Sequence, residues 1–417
     1  MSLITKLSRA ALLRSFQPFA FTNEADEILP YGTVSDLGLY VHIPFCRSLC
    51  SFCPYCKVVF DHGIANKYVD ALLEEISLVG RQTPSPTPVT SLYFGGGTPA
   101  LVADRLEEII TTLSLHFHIH DGIGIELHPE DATPDRLHTL SQAGVTKISL
   151  GIQSFQESSQ MTLGRRLVSP GTLACNLKDA HFDTVSMDFI FALPGQTLDD
   201  LKRDLDTAVQ AGANAFAIYP FIDFSFTKST IKTLTKKEKR RLLDGITQYC
   251  EDQGWIRTSL WTFATTPSAR YSSMTRDNYL GFGCSAVTLL PDQFKINTFS
   301  VEGYQQRIAE RRLPTSLTLR FTRRQRMLYY LFWTAYTMNV DPRAFEKFFG
   351  TPFEKEFGLE FKVAQKLGFV VREDNIYRLT SKGAFYFHYY ENFYTLAYID
   401  KMWRLLRKEA FPKEMTL

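Results

Sequence analysis

Four of the seven cysteines in this 417-residue chain lie between Cys46 and Cys56. Three of them, Cys46, Cys50 and Cys53, form a C-x3-C-x2-C run directly after the apolar stretch Leu39 to Ile43. Three thiolates on one tight loop can hold three irons of a cubane 4Fe–4S cluster and leave the fourth iron open to an exogenous chelate. Two other readings of sulfur at this spacing stand beside it. Structural zinc takes four ligands, usually as two separated pairs, and no second C-x2-C or Cys/His pair follows downstream. Cys53-Pro54-Tyr55-Cys56 alone reads as a glutaredoxin-type dithiol, which leaves Cys46 and Cys50 unexplained. Cys56 itself is open between a spare thiol beside a cluster, a substitute ligand and a residue reactive toward substrate.

Such a loop needs a scaffold, and the hydrophobic pattern around it alternates between two periods. Strand-like apolar runs are expected at Leu39–Ile43, Val89–Phe94, Ile123–Leu127, Lys147–Gly151, Thr184–Phe191 and Ala213–Tyr219. Amphipathic helical stretches fall between them at Lys67–Leu78, Asp104–Leu115, Pro134–Ala143 and Leu198–Ala211. Alternating buried strands and helices imply parallel strands with right-handed crossovers, and six units make an open (β/α)6 partial barrel of the α/β class. Working residues in such barrels sit at the carboxyl ends of the strands. The unusual residues of this chain fall there: Cys46 after the first strand, Gly95-Gly96-Gly97-Thr98-Pro99 after the second, Glu126 at the end of the third, Gln153 after the fourth, Asp188 on the fifth and Tyr219 closing the sixth. Glycines at a strand end let backbone approach a ligand closely, and the run lacks the lysine and hydroxyl of a Walker loop.

The words YVHIPFC, GGGTP, IELHPED, GIQSF and SMDFIFALPGQT resemble those of radical S-adenosylmethionine (SAM) enzymes. They are similar in particular to the oxygen-independent coproporphyrinogen III oxidase family, with its haem-chaperone and methyltransferase relatives. The resemblance implies a (β/α)6 partial TIM barrel followed by a C-terminal, mainly helical, winged-helix-like domain. It implies that Cys46, Cys50 and Cys53 ligate a 4Fe–4S cluster whose unique iron chelates SAM, and that an electron from the cluster cleaves the sulfonium to a 5′-deoxyadenosyl radical. Gly95, Gly96, Gly97 and Thr98 match the segment that hydrogen-bonds the SAM amino group. Glu126, Gln153, Arg165 and Asp188 match positions used for its nucleoside and carboxylate, and Tyr40 stands where the family has a tyrosine under the cluster. A carboxylate can accept both ribose hydroxyls, and an arginine can grip a carboxylate with two prongs. Implied with them are one SAM molecule, or two as in methyl-transferring relatives, a tetrapyrrole substrate and a reductant such as flavodoxin or ferredoxin.

The chain also departs from that family. The oxidase proper carries a further cysteine two residues after the third, where this chain has Tyr55 and then Cys56. A TSYPT-like substrate-gripping word is absent from Asn23 to Gly38. The haem-chaperone branch has a histidine two residues beyond an arginine, where Arg165 is followed by Leu167. Oxidative decarboxylation, radical methyl or methylene transfer on an aromatic or heterocyclic substrate, and haem carriage without turnover therefore all stay open.

A hydrophobic content of 45% with 22% charged residues is ordinary for a folded globular chain, and a net charge of +2 gives no bulk attraction to nucleic acid or anionic lipid. No apolar stretch reaches the length of a membrane span. The N-terminal run is interrupted by Lys6, Arg9 and Arg14 and reads as a packing segment rather than a signal peptide. Clustered cysteines without a disulfide framework fit a reducing cytoplasm.

The expected domains are 1–37 as an N-terminal segment, 38–230 as the barrel, 231–312 as a barrel extension and 313–417 as the winged-helix-like part. A capping box at Thr235/Glu238 opens a basic helix whose KKEKRR face reads as solvated. Two further strands are expected at Trp255–Phe263 and Tyr279–Leu290. Helices at Arg323–Thr337, Pro342–Phe349 and Phe353–Leu367 and a hairpin at Val370–Leu379 follow. Arg320, Arg323, Arg324 and Arg326 could touch phosphates, but a lid or packing role suits the near-neutral whole better. The aromatic run Phe385 to Tyr390 offers stacking faces and, in His388, an imidazole capable of ligating haem; the plainer reading is one packed helix.

Overall fold

The computed structural model describes residues 12–24, 27–267 and 277–417, with the side chains of 389–393 left aside. Residues 1–11, and with them Lys6 and Arg9 of the expected packing segment, lie outside that description. Six parallel strands run β1 (Leu37–Ile43), β2 (Ser91–Gly96), β3 (Ile123–Leu127), β4 (Val145–Gln153), β5 (Thr184–Phe191) and β6 (Ala215–Pro220), each hydrogen-bonded to the next in chain order. The crossovers carry α1 (His62–Gly80), α2 (Leu106–Ser114), α3 (Pro134–Gln142), α4 (Glu157–Leu163), α5 (Pro170–Lys178) and α6 (Leu198–Gln210). The expected (β/α)6 order is therefore present. β1 is nearly buried along its whole length, with Leu37, Leu39, Val41 and Ile43 on one face and Gly38, Tyr40 and His42 on the other.

The sheet does not stop at six strands; it is 14-stranded. Beyond β6 lies the antiparallel β7 (Thr262–Ala264), and on the other side β8 (Asn278–Phe282) pairs parallel with β1. From β8 the sheet continues antiparallel through β9 (Val287–Leu289), β10 (Gln293–Asn297) and β11 (Thr315–Arg320). The two expected long strands at Trp255–Phe263 and Tyr279–Leu290 are each interrupted. Ser259 to Trp261 bends out of the ladder, and Ser285 takes a positive φ of 57° in the turn after β8. A helix, α7 (Lys236–Asp252), begins at the expected capping box, with Thr235 and Glu238 bonding each other's backbone N–H.

The stretch from 313 onward is not one appended unit. Its first strand, β11, and its last, Glu414–Thr416, both belong to the large sheet, joined through Ala20–Thr22. Between them α8 (Arg323–Tyr336), α9 (Pro342–Phe349) and α10 (Phe353–Lys366) pack with the hairpin β12 (Val370–Glu373) and β13 (Ile376–Leu379) around a core of Met327, Tyr330, Phe345, Phe353, Phe357 and Tyr377. Asp374 and Asn375, both at positive φ, form its tight turn. The arginines at the start of this unit are used internally. Arg324 lies 3.8 Å over the Phe357 ring and pairs with Glu360 at 3.0 Å, Arg326 is buried, and Arg323 donates to the Phe349 carbonyl. His388 is also enclosed, edge-on to Trp261 at 4.2 Å, and burial pulls its imidazole down to about 3, so it stays neutral inside the core.

The turn that leaves β4 is held from a distance. Buried Asp204 on α6 accepts from Ser154 Oγ at 2.7 Å, from the Phe155 amide at 2.8 Å and from Gln156 Nε2 at 2.9 Å. Replacing Asp204 with alanine strands these donors in a dry interior. We expect a loss of about 3 kcal/mol of unfolding free energy, read from urea denaturation followed by circular dichroism.

Candidate active site

The cysteine loop starts where β1 ends. It is closed at its base by the Val58 amide on the Pro44 carbonyl at 2.7 Å and the Phe60 amide on the Cys46 carbonyl at 2.9 Å. Lys57 fastens the middle: its ammonium donates to the carbonyls of Cys50 at 2.6 Å and Cys53 at 2.8 Å. Sequence reasoning missed Lys57, since a lysine after an apolar loop looks like any surface lysine. Cys46, Cys50 and Cys53 are free and half-buried. Burial, and then the neighbouring Cys53, push the Cys46 thiol up to about 12, and burial raises Cys50 as well. Thiols raised in this way, Cys46 and Cys50, become thiolates together when a cation offsets them.

The second strand end is pressed against this loop. The Gly97 amide donates to the Ile43 carbonyl at 2.8 Å and the Thr98 amide to the Phe45 carbonyl at 2.7 Å. A Cβ on Gly97 would stand 2.5 Å from the Phe45 carbonyl oxygen and 2.9 Å from Cys46 Sγ. The close approach that these glycines permit is thus to the chain's own cysteine loop. Gly96, at φ 126°, turns its amide onto Glu126 Oε2 at 3.1 Å, and Gly95 leaves space for the Tyr40 ring. Tyr40 Oη pairs with His42 Nδ1 at 3.1 Å.

Glu126 and Asp188 face the barrel interior from β3 and β5. Tyr93 Oη donates to Glu126 at 3.2 Å, and Ser149 Oγ lies 3.0 Å from both oxygens of Asp188. Burial raises each carboxyl to about 7, and Glu126 adds to the shift of Asp188. Arg165 reaches the cysteines through helix termination: α4 ends in a Schellman turn, with Gly164 at φ 65°, the Arg165 amide on the Gln160 carbonyl and the Gly164 amide on Met161. The guanidinium then lies near enough to Cys50 to be its strongest electrostatic support after burial is counted. Gln153 takes a positive φ of 71° at the end of β4, turning the chain toward the Ser154–Gln156 anchor.

Tyr219, expected at the end of the sixth strand, closes β6 and is 38% exposed. Burial raises its hydroxyl well above the usual range, with Tyr336 of α8, Asp188 and Tyr55 adding to the shift. The Leu260 amide on the Tyr336 carbonyl, at 2.9 Å, brings α8 to this side of the barrel. The rim thus gathers Tyr40, Cys46, Cys50, Cys53, Gly95 to Thr98, Glu126, Arg165 and Asp188. Cys56 turns away from the cleft: it is 5% exposed and faces Cys284.

The two raised carboxyls set a sign for stability. Between about 4.5 and about 7, Glu126 binds a proton in the folded chain that it releases on unfolding, and Asp188 does the same from about 3.8. Their contribution is full below the lower value and lost as pH rises through about 7. Cofactor-free protein is expected to gain unfolding free energy from pH 8 to pH 6, with a smaller gain in Glu126→Gln, measured by denaturant titration at both values.

A family model described as the radical SAM superfamily matches residues 40–208, which take in the cysteine loop and the first five strand ends. The chain is 24% identical over 361 residues to the heme chaperone HemW of Bacillus subtilis, covering 82% of this chain and 95% of that one. It is 26% identical over 307 residues to the oxygen-independent coproporphyrinogen III oxidase of Synechocystis, covering 67% of this chain and 66% of that one. Among solved structures, the coproporphyrinogen III oxidase (HemN) of Escherichia coli has the same fold, with a TM-score of 0.74 at 21% identity over 91% of this chain and 96% of that one. The cysteine loop, the strand-end residues gathered on one rim and these likenesses converge: residues 40–208 match the radical SAM superfamily, and the chain is similar over most of its length to oxygen-independent coproporphyrinogen III oxidases and haem chaperones.

Proposed function

We propose that the chain is a radical SAM enzyme acting on a tetrapyrrole. The observation that carries the reading is the assembly, on one rim, of three half-buried sulfurs after β1 with interior carboxyls on β3 and β5 and an arginine from the end of α4. The superfamily's cofactors are a 4Fe–4S cluster and SAM, and the donor set fits them. Thiolates sharing one zinc at about 2.3 Å stand roughly 3.8 Å apart. Cys46, Cys50 and Cys53 do not form a trio with all sulfurs within 4.8 Å, whereas a cubane holds its thiolates at separate irons. Bound together, cluster and SAM supply one-electron cleavage of a carbon–sulfur bond and, from it, hydrogen abstraction at a substrate carbon.

The chain's own residues have distinct parts in this reading. Cys46, Cys50 and Cys53 are the cluster ligands, with Lys57 keeping the loop in shape. Gly95 to Thr98 present backbone toward the SAM amino group. Glu126 and Asp188, when ionised, accept hydrogen bonds from the amino group or ribose, and Arg165 pairs with the carboxylate. Gln153 serves the nucleoside, and Tyr40 stands under the cluster, oriented by His42. The aromatic faces of Tyr219, Tyr336 and Tyr55 suit a planar conjugated substrate. The electron donor in this reading is a small protein such as flavodoxin or ferredoxin, in the cytoplasm. Among the described residues no helix is long and apolar enough to cross a membrane.

A second reading, a haem carrier without turnover, is supported by the 95% coverage of the Bacillus chaperone. Anaerobically reconstituted protein treated with dithionite is expected to release 5′-deoxyadenosine from SAM, and alanine at Cys46, Cys50 or Cys53 to abolish the release. Asp188→Asn is expected to weaken SAM binding roughly tenfold, the loss of one charged hydrogen bond. Tight haem binding with no 5′-deoxyadenosine overturns the enzyme reading in favour of the carrier, and S-adenosylhomocysteine formed alongside points to methyl transfer.

A further inference from the structure

Beside the cysteine loop three potential metal ligands meet in the core. His42, Cys56 and Cys284 have their ligand atoms within 4.8 Å of one another, and all three are buried. None is adjacent to another in sequence. β8 pairs with β1 in parallel register up to Phe282 opposite Val41, so the residues just past both strand ends lie side by side. Gly283, at φ 93°, makes the approach possible: a Cβ there would stand 2.5 Å from the His42 carbonyl oxygen. Tyr68 of α1 then locks the two strand ends, donating to the His42 carbonyl at 2.7 Å and accepting from the Cys284 amide at 2.9 Å. Cys56, at the far end of the cysteine loop, completes the group from the third side.

We propose that His42, Cys56 and Cys284 form a zinc site separate from the cluster loop. Cys56 Sγ and Cys284 Sγ are 3.9 Å apart, which is close to the roughly 3.8 Å that two thiolates keep on one tetrahedral zinc at about 2.3 Å. A ring nitrogen of His42 lies within 4.8 Å of both sulfurs; Nε2 is 3.0 Å from the Cys56 carbonyl and Nδ1 3.1 Å from Tyr40 Oη, so binding through Nε2 gives up the Cys56 contact and leaves the ring proton on Nδ1, donated to Tyr40. A ligating imidazole needs such a partner on its second nitrogen to fix its tautomer. The Phe299 carbonyl accepts from Cys56 Sγ at 3.3 Å and lies beside the group. Two thiolates, one neutral imidazole and Zn2+ sum to zero charge, the condition a dry interior sets. Binding releases the two thiol protons to solvent and changes no oxidation state.

The competing fate of two close sulfurs is a disulfide. That requires the sulfurs to close to about 2.05 Å and an oxidant to reach them, although they are 5% and 0% exposed, and it leaves His42 with no part. Nearby Glu75 is not a ligand. Its carboxylate is saturated by the Gly283 amide at 2.7 Å, Tyr304 Oη at 2.7 Å and Asn297 Nδ2 at 3.2 Å. In place, the zinc pins the end of the cysteine loop to the turn after β8.

Full-length protein purified anaerobically with its iron is to be assayed for zinc and iron by plasma mass spectrometry, and after exchange with Co2+ for sulfur-to-cobalt charge-transfer absorption. The expected result is about one zinc per chain, lost in Cys284→Ala and in Cys56→Ser with iron retained, and kept when Cys46, Cys50 and Cys53 are all replaced by alanine. A zinc-selective chelator should lower the melting temperature of the unmutated protein and added Zn2+ restore it, a readout that does not depend on the variants folding. Absence of zinc from the unmutated protein overturns the proposal. So does zinc that survives Cys284→Ala, or a Cys56–Cys284 disulfide in anaerobic protein. Zinc is read apart from iron, so failure of the cluster assignment would show as missing iron and leave this result standing.

Discussion

The tightest constraint in the molecule is the contact between two strand ends. The backbone of Gly97 and Thr98, after β2, donates to the carbonyls of Ile43 and Phe45 at 2.8 Å and 2.7 Å, with no volume left for a side chain at Gly97. Through those two bonds the first and second βα units share one surface, and Cys46 takes its place relative to Glu126 because Gly96 bonds both ways: its strand pairs with β1, its amide with the Glu126 carboxylate. The loop that carries the sulfurs has little regular structure of its own. Its shape is imposed by the barrel beneath it and by the Lys57 ammonium across its middle.

A second constraint is electrostatic. Glu126 and Asp188 sit where burial disfavours their charge, and burial with the neighbouring cysteines raises the thiols of Cys46 and Cys50. The site suppresses negative charge, with Arg165 as a counterweight at Cys50. Groups left in this state are primed for a ligand that brings positive charge of its own, and iron and a sulfonium both do. The barrel provides the cost of this arrangement from its large apolar core.

Much of this was legible in the sequence because it rests on local signals. The six strands and their helices follow from periodicity, the capping box at Thr235 from residue type, and the cysteine loop from spacing. What was not legible depends on pairing across long separations. No local pattern says that Asn278–Phe282 lies parallel beside Leu37–Ile43, that Thr315–Arg320 and Glu414–Thr416 return to the main sheet, or that Cys284 meets Cys56. Likewise the packing role favoured for the arginines at the start of α8 carries no local sign of its partners, which are a carboxylate, backbone carbonyls and aromatic rings.

The final helix of the chain, Asp400–Leu406, lies against the tip of the cysteine loop. Trp403 meets the Tyr55 ring at 5.9 Å, Arg407 donates to the Pro54 carbonyl, and Asp400 accepts from the Ser225 amide and hydroxyl. Arg407 and Pro54 are 353 positions apart. During synthesis the sulfurs therefore leave the ribosome long before the residues that brace their loop exist. The braced form of the loop is a late product of folding, one that needs Asp400 to Arg407 already in place.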